Sequence, residues 1–184
     1  DSVVIDTNAG TVFISDPNVK LDVGAVAKGW SVQRIAESAP QGLLISVGGN
    51  VLATGPKDAS GTPWVVGVQS PDSADQYLHT LKVTDGSIVT SGDYQRAYVV
   101  DGELYHHIID PDTRMPATLW RSVTIVCDDS AMADALSTAL FCLPYEQGAA
   151  LIESLEGVEA MWLTVDGEKL YSSGFSDYEM AAQP

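Results

Sequence analysis

The sequence is short of positive charge. Nine Lys and Arg stand against 25 Asp and Glu, a formal net charge of −16. Binding a nucleic-acid backbone requires Lys and Arg to replace its counterions, so this balance argues for no nucleic acid among the partners. An anionic small ligand is also repelled, unless a metal or a local donor cluster inverts the field. The bland reading of the acidity is solubility. Cysteine is scarce: Cys127 and Cys142 are the whole complement. Neither belongs to a CxxC or Cys-His spacing, which argues against zinc. Both lie in apolar runs and are expected as buried free thiols, with a disulfide between them as the alternative. No stretch approaches the ~18 apolar residues of a membrane span. The opening DSVVIDTNAG has neither the basic start nor the apolar run of a secretory signal, so the chain reads as a mature or trimmed product. Histidine is rare too, yet two of the three, His106 and His107, are adjacent.

Against these absences, 45% of the 184 residues are hydrophobic, enough for a core, and the length suits one domain spanning 1–184. There is no low-complexity linker and no solenoid-length repeat. Asp-Gly recurs at 85–86, 101–102 and 166–167, each time between β-prone residues. That dipeptide suits type I′ turns, which need positive φ at both centres, so three hairpins are predicted. GLLISVGG and SVTIVC read as buried strands, and PWVVGVQSP as another. Helices are predicted in GAVAKGWSVQRIAESA, with Val26, Trp30, Ile35 and Ala36 roughly on one face, and in SAMADALSTALFCL, with Ser130 as N-cap. A third is YEQGAALIESLEG, closed by glycine. Strands cluster apart from helices, which predicts an α+β fold with mostly antiparallel sheet and a few packed helices.

Four stretches carry chemistry. In LDVGAVAKGW, Asp22 and Gly24 precede a helix and Lys28 lies one turn inside it. Side chains lean toward a helix N-terminus, where free N–H groups and the dipole favour anions, so Lys28 and the helix start suit a phosphate. The plain alternative is a capped helix with a surface lysine. In ISVGGN, Gly48-Gly49 permits a sharp turn or close ligand approach. In ELYHHIIDP, strand alternation puts His106 and His107 on opposite faces, so they do not share a metal. One of them is placed for acid–base work. In AMADALSTAL, Asp134 and Thr138 are i and i+4, and their oxygens share a helix face suited to a hard cation such as Mg²⁺. The alternative is a dipole-favouring Asp and a back-bonded Thr.

LDVGAVAKGW, LISVGGN, TSGDYQR, HHIIDPDT and ADALSTALF, in this order and at these separations, resemble the ApbE family, the FAD:protein FMN transferases. The likeness runs from about residue 20 to about residue 143. It implies a Mg²⁺-dependent enzyme that binds FAD, cuts its pyrophosphate, passes FMN to a Thr or Ser hydroxyl of an acceptor protein, and releases AMP. Some relatives hydrolyse FAD to FMN and AMP instead. The resemblance assigns Asp22, Lys28 and Ile108 to FAD contacts, and Ala25 (through its carbonyl), Asp134 and Thr138 to Mg²⁺. It makes His107 the catalytic histidine. It also implies a location in the cell envelope, outside the cytoplasm, with any membrane tether lying outside this chain.

Two departures stand out. The family carries a further N-terminal part that helps form the flavin and adenine pocket, so this chain corresponds to the C-terminal portion of that fold. Arg114 occupies the glycine of the family's DPxTG pattern, where positive φ would cost an arginine ~1 kcal/mol or more, unless it adds a phosphate contact. The rivals to the transferase are an FAD pyrophosphatase using the same site with water, and a non-catalytic flavin-binding domain.

Overall fold

The computed structural model describes residues 2–180. Its strands are β1 (Val3–Asp6), β2 (Thr11–Ile14), β3 (Leu44–Val47), β4 (Asn50–Thr54), β5 (Trp64–Ser70), β6 (Ser73–Val83), β7 (Asp85–Gly92), β8 (Ala97–Val100), β9 (Glu103–His106), β10 (Trp120–Cys127), β11 (Glu159–Thr164) and β12 (Lys169–Tyr171). The helices are α1 (Gly24–Ala36), α2 (Ser130–Phe141) and α3 (Tyr145–Glu153), followed late in the chain by a single 3₁₀ turn, Phe175–Asp177. Six strands form the central sheet in the order β12-β11-β10-β7-β4-β3, every pairing antiparallel. The fold is α+β, as the segregation of strand and helix patterns predicts.

The alternation of apolar residues explains the layering. In β10, Val123, Ile125 and Cys127 face α2 and α3, and in β11 Ala160 and Trp162 do the same, packing with Leu140, Phe141 and Ile152. The intervening Val126, Met161 and Leu163 face the other way, onto the β5–β6 hairpin and Phe175. A strand's period of two therefore gives this sheet a core on each side. Burying so many apolar side chains at ~1.5–3 kcal/mol each is what holds the layers together.

Glycine and Asx chemistry sets the connections, with some corrections to expectation. At 101–102, Asp101 (φ 51) and Gly102 (φ 86) make the two-residue turn predicted between β8 and β9. Gly48 (φ 52) and Gly49 (φ 94) likewise join β3 to β4. At 166–167 the hairpin forms, but only Gly167 (φ 85) has positive φ, and Gly167 N–H bonds the Thr164 carbonyl. It is a longer turn closed by a left-handed glycine, not type I′. Asp85-Gly86 makes no hairpin at all. β6 pairs with β5 and β7 with β10 and β4, so the chain changes layer there. β3 is an edge strand and largely exposed rather than buried. The N-cap of α2 is Asp129, whose carboxylate accepts from Ala131 and Met132 N–H, while Ser130 is the first helical residue. α1 buries Gly29 and Val32, whereas Val26, Trp30 and Ile35 face outward. Both cysteines are free, Cys127 buried and Cys142 half-buried. No helix among the described residues is long and apolar enough to cross a membrane.

Candidate active site

A cleft of about 880 Å³ opens between the α1 end of the sheet and the β5–β6 hairpin. Its wall holds Asp22, Ala25, Lys28, His107, Ile108 and Thr138, six of the seven residues singled out in the sequence. The seventh, Asp134, stands behind Lys28. It is 2% exposed, and the Lys28 ammonium lies 3.1 Å from its Oδ1. Asp134 Oδ2 also accepts the Gly29 N–H at 2.8 Å. Lys28 is thus paired with Asp134, not with Asp22, and its charge is largely answered within the protein. Its ammonium also donates to the Gly24 carbonyl at 3.3 Å.

Gly29 is a residue that sequence reasoning missed. A Cβ there would lie 2.1 Å from the Ser130 carbonyl oxygen and 2.5 Å from Asp134 Cβ. Only hydrogen lets α1 and α2 approach closely enough for the Gly29–Asp134 bond. The signal was present as the glycine following Lys28, but a helical contact partner over a hundred positions away leaves no trace in local pattern.

The start of α1 is less open to anions than its dipole suggests. Asp22 Oδ1 takes the Gly24 N–H at 2.7 Å. The Val26 and Ala27 N–H groups both bond back to the Val23 carbonyl. The Ala27 bond is the helix's own, so two of the otherwise free N–H groups, Gly24 and Val26, are occupied, one of them by a carboxylate. The cleft has another cation, Arg96, which forms no ion pair among the described residues and sits in left-handed backbone at φ 48.

The two histidines divide as strand alternation predicts. His106 is buried at the end of β9, and its Nε2 lies 2.8 Å from the Ala117 carbonyl. Its Nδ1 receives the Ile108 N–H at 3.3 Å, so the proton is on Nε2. His107 bonds the Gln95 carbonyl through Nδ1 at 3.1 Å. A carbonyl only accepts, so His107 carries its proton on Nδ1 and keeps the Nε2 lone pair for another group. Partial burial pushes the His107 pKa below the ordinary 6.5, offset in part by the Gln95 bond and reinforced by nearby Arg96. The ring is therefore a neutral base at pH 7. Gln95 and Arg96 lie in TSGDYQR, a stretch whose individual roles the sequence left open.

The resemblance nominates three oxygens for a divalent cation: the Asp134 carboxylate, the Thr138 hydroxyl and the Ala25 carbonyl. No group of three or more His, Cys, Asp or Glu that could hold a metal occurs among the described residues. A carboxylate, a hydroxyl and a carbonyl suit Mg²⁺, which takes few protein ligands and keeps water and phosphate oxygens. The set fits the ion on one condition, that Lys28 yields Asp134. Arg114 is exposed, sits at φ 60, and is not at the cleft wall. The left-handed backbone of that glycine position is thus kept by an arginine.

Fold and site together define an α+β protein whose cleft combines cationic side chains, a threonine hydroxyl and a neutral imidazole. The chain belongs to the ApbE family, whose model matches residues 1–162. The FAD:protein FMN transferase of Treponema pallidum (strain Nichols) is 38% identical over 180 residues, covering 91% of this chain and 50% of the relative. That of Klebsiella pneumoniae (strain 342) is 33% identical, covering 93% and 54% respectively. The crystal structure of the ApbE protein from Thermotoga maritima superposes with a TM-score of 0.86 at 34% identity, over 98% of this chain and 60% of that one. The flavin transferase ApbE from Vibrio cholerae gives 0.76 at 28% identity, over 96% and 58%. The chain thus spans about half the length of the curated relatives it matches.

Proposed function

We propose that this protein takes part in Mg²⁺-dependent transfer of FMN from FAD to a threonine or serine hydroxyl of an acceptor protein, releasing AMP. The observation that carries the reading is His107, a neutral imidazole with Nε2 unprotonated, in the same cleft as the Ala25–Thr138 oxygens. The family names of the relatives supply flavin and a protein acceptor. The acceptor hydroxyl oxygen forms a bond to the FMN phosphorus, and its proton passes to His107 Nε2. The P–O bond to the AMP phosphate breaks, and the electron pair leaves with AMP. Ala25, Asp134 and Thr138 would hold Mg²⁺, which when bound offsets pyrophosphate charge that a chain of net charge −16 otherwise repels. Arg96 and Lys28 add positive charge from the chain itself, Lys28 after release from Asp134. Gln95 holds the imidazole in the accepting tautomer.

A second reading follows because His107, though partly desolvated, keeps an exposed ring that water reaches: attack by water gives FMN and AMP. Incubation with FAD and Mg²⁺, with and without an acceptor peptide, separates the readings. Flavin covalently on the peptide supports the transferase, and free FMN with AMP in both mixtures supports the pyrophosphatase. Bound, uncleaved FAD in both would leave a flavin-binding domain.

A further inference from the structure

The cleft loop Tyr94–Arg96 supplies the carbonyl that orients His107, and something must hold that loop. Its anchor is Asp93. The Asp93 N–H bonds the Arg121 carbonyl at 3.0 Å, and Asp93 Oδ2 accepts from Arg121 Nε at 2.9 Å. Arg121 Nη1 reaches Asp72 Oδ1, beyond the end of β5, at 3.0 Å. One guanidinium thus ties β10 to the cleft loop and to the β5–β6 connection. Arg121 can do this because the β10–β11 register shifts between Trp120 and Ser122. A bulge re-aims the side chain of the extra residue. Asp93 is buried, and its Oδ1 has no partner among the described residues, so its charge depends on Arg121. A planar fork with donors on two edges suits two carboxylates at once, which an ammonium does not.

We infer that Arg121 is a positioning residue: through Asp93 it holds the Gln95 carbonyl against His107 and so keeps the His107 proton on Nδ1. This rests on the transfer reading only for its catalytic consequence; the tautomer itself needs no substrate.

The test is ¹⁵N NMR of the imidazoles in the full chain, at about pH 8.5, where the rings are neutral. His106 serves as the internal control, because its opposite tautomer is held by Ala117 and Ile108. In Arg121→Ala the Nδ1–H to Nε2–H ratio of His107 should fall about fivefold, the equivalent of one net hydrogen bond, with His106 unchanged. Arg121→Lys keeps the charge but not the fork, and should move His107 the same way by less. If Arg121→Ala does not fold, Arg121→Lys is judged by the same criterion. An unmoved His107, or equal movement of both rings, overturns the inference. With saturating FAD and Mg²⁺, Arg121→Ala should also lose up to ~10²-fold in transfer rate while KM for FAD changes less. A wild-type chain without transfer activity but with the tautomer shift would remove the transfer reading alone. Transfer in the wild type with no tautomer shift in the variant would remove the clamp alone.

Discussion

At the scale of single residues, neighbouring positions have opposite duties. His106 and His107 carry opposite tautomers because one ring lies between Ala117 O and Ile108 N–H and the other meets Gln95 O. His107→Ala should lose ~10²–10⁴ in transfer rate with FAD still bound, as expected for one acid–base group. His106→Ala should cost far less rate but should destabilise the chain, because it removes a buried ring packed on Phe141 and leaves the Ala117 carbonyl without that donor. Comparing the two variants under saturating FAD and Mg²⁺ decides the assignment, and an inactive His106→Ala beside an active His107→Ala would reverse it. The His107 pKa is lowered by burial, so activity should fall on the acid side with a midpoint below 6.5. Arg114→Gly is expected to raise stability by up to about 1 kcal/mol, since glycine accepts φ 60 without a Cβ penalty. The gain is partly offset by the looser unfolded chain. A higher urea midpoint at unchanged m-value checks it.

At the scale of elements, the crossing of α1 and α2 sets how Asp134 is held. Asp134 is buried with Lys28 as its counter-charge. Lys28→Met should therefore destabilise the chain by ~3–5 kcal/mol, the cost of leaving a buried charge unpaired. The sequence suggests a phosphate contact for this lysine, and the ion pair adds a stability cost to its replacement. On the proposed function Mg²⁺ and Lys28 would compete for the Asp134 oxygens, so added Mg²⁺ should raise the melting temperature of Lys28→Met more than that of the wild type. Equal shifts in calorimetry would show that Asp134 is not a ligand. Gly29→Ala drives a methyl into the Ser130 carbonyl and Asp134. It should cost ~1–3 kcal/mol by overpacking, since the contact is backbone and cannot swing aside.

At the scale of the whole molecule, an acid response of stability is built into the hairpin that walls the cleft. His79 on β6 is buried, with Nδ1 3.3 Å from Glu179 Oε1 and its ring 5.8 Å from that of Phe175. Burial, reinforced by Lys169, lowers its pKa from 6.5 to about 4. The ring is therefore neutral at pH 7, and its contact with Glu179 is a hydrogen bond from Nδ1–H rather than an ion pair. A depressed histidine binds its proton more readily when unfolded. Its contribution is full above pH 6.5, falls as pH drops to about 4, and then levels off. The drop corresponds to about 3 kcal/mol. Urea midpoints against pH should show this slope in the wild type and a shallower one in His79→Gln. The strand contacts around it, Lys82 N–H to Tyr178 O and Met180 N–H to Thr80 O, tie residues 178–180 to the hairpin that walls the cleft.

Local pattern in the sequence was enough for some features of the fold and the cleft. Apolar runs bounded by turn residues specified β5 and β10, helical spacing and end signals specified the helices, and Asp101-Gly102 and Gly48-Gly49 specified their turns through positive φ. Five motifs in order identified the family and six residues of the cleft wall. Tertiary structure alone decided which partner each polar group took. Lys28 went to Asp134, 106 positions away, instead of Asp22, and Gly29 was needed because two helices cross there. Asp85-Gly86 became a change of layer because β7 found better-buried partners in β4 and β10 than in β6. The outward face of α1 and the exposure of β3 followed the same rule. A residue's own pattern states what it can bury or bond, but the competition among distant partners for one carboxylate, one sheet edge or one carbonyl is settled only when the chain has folded.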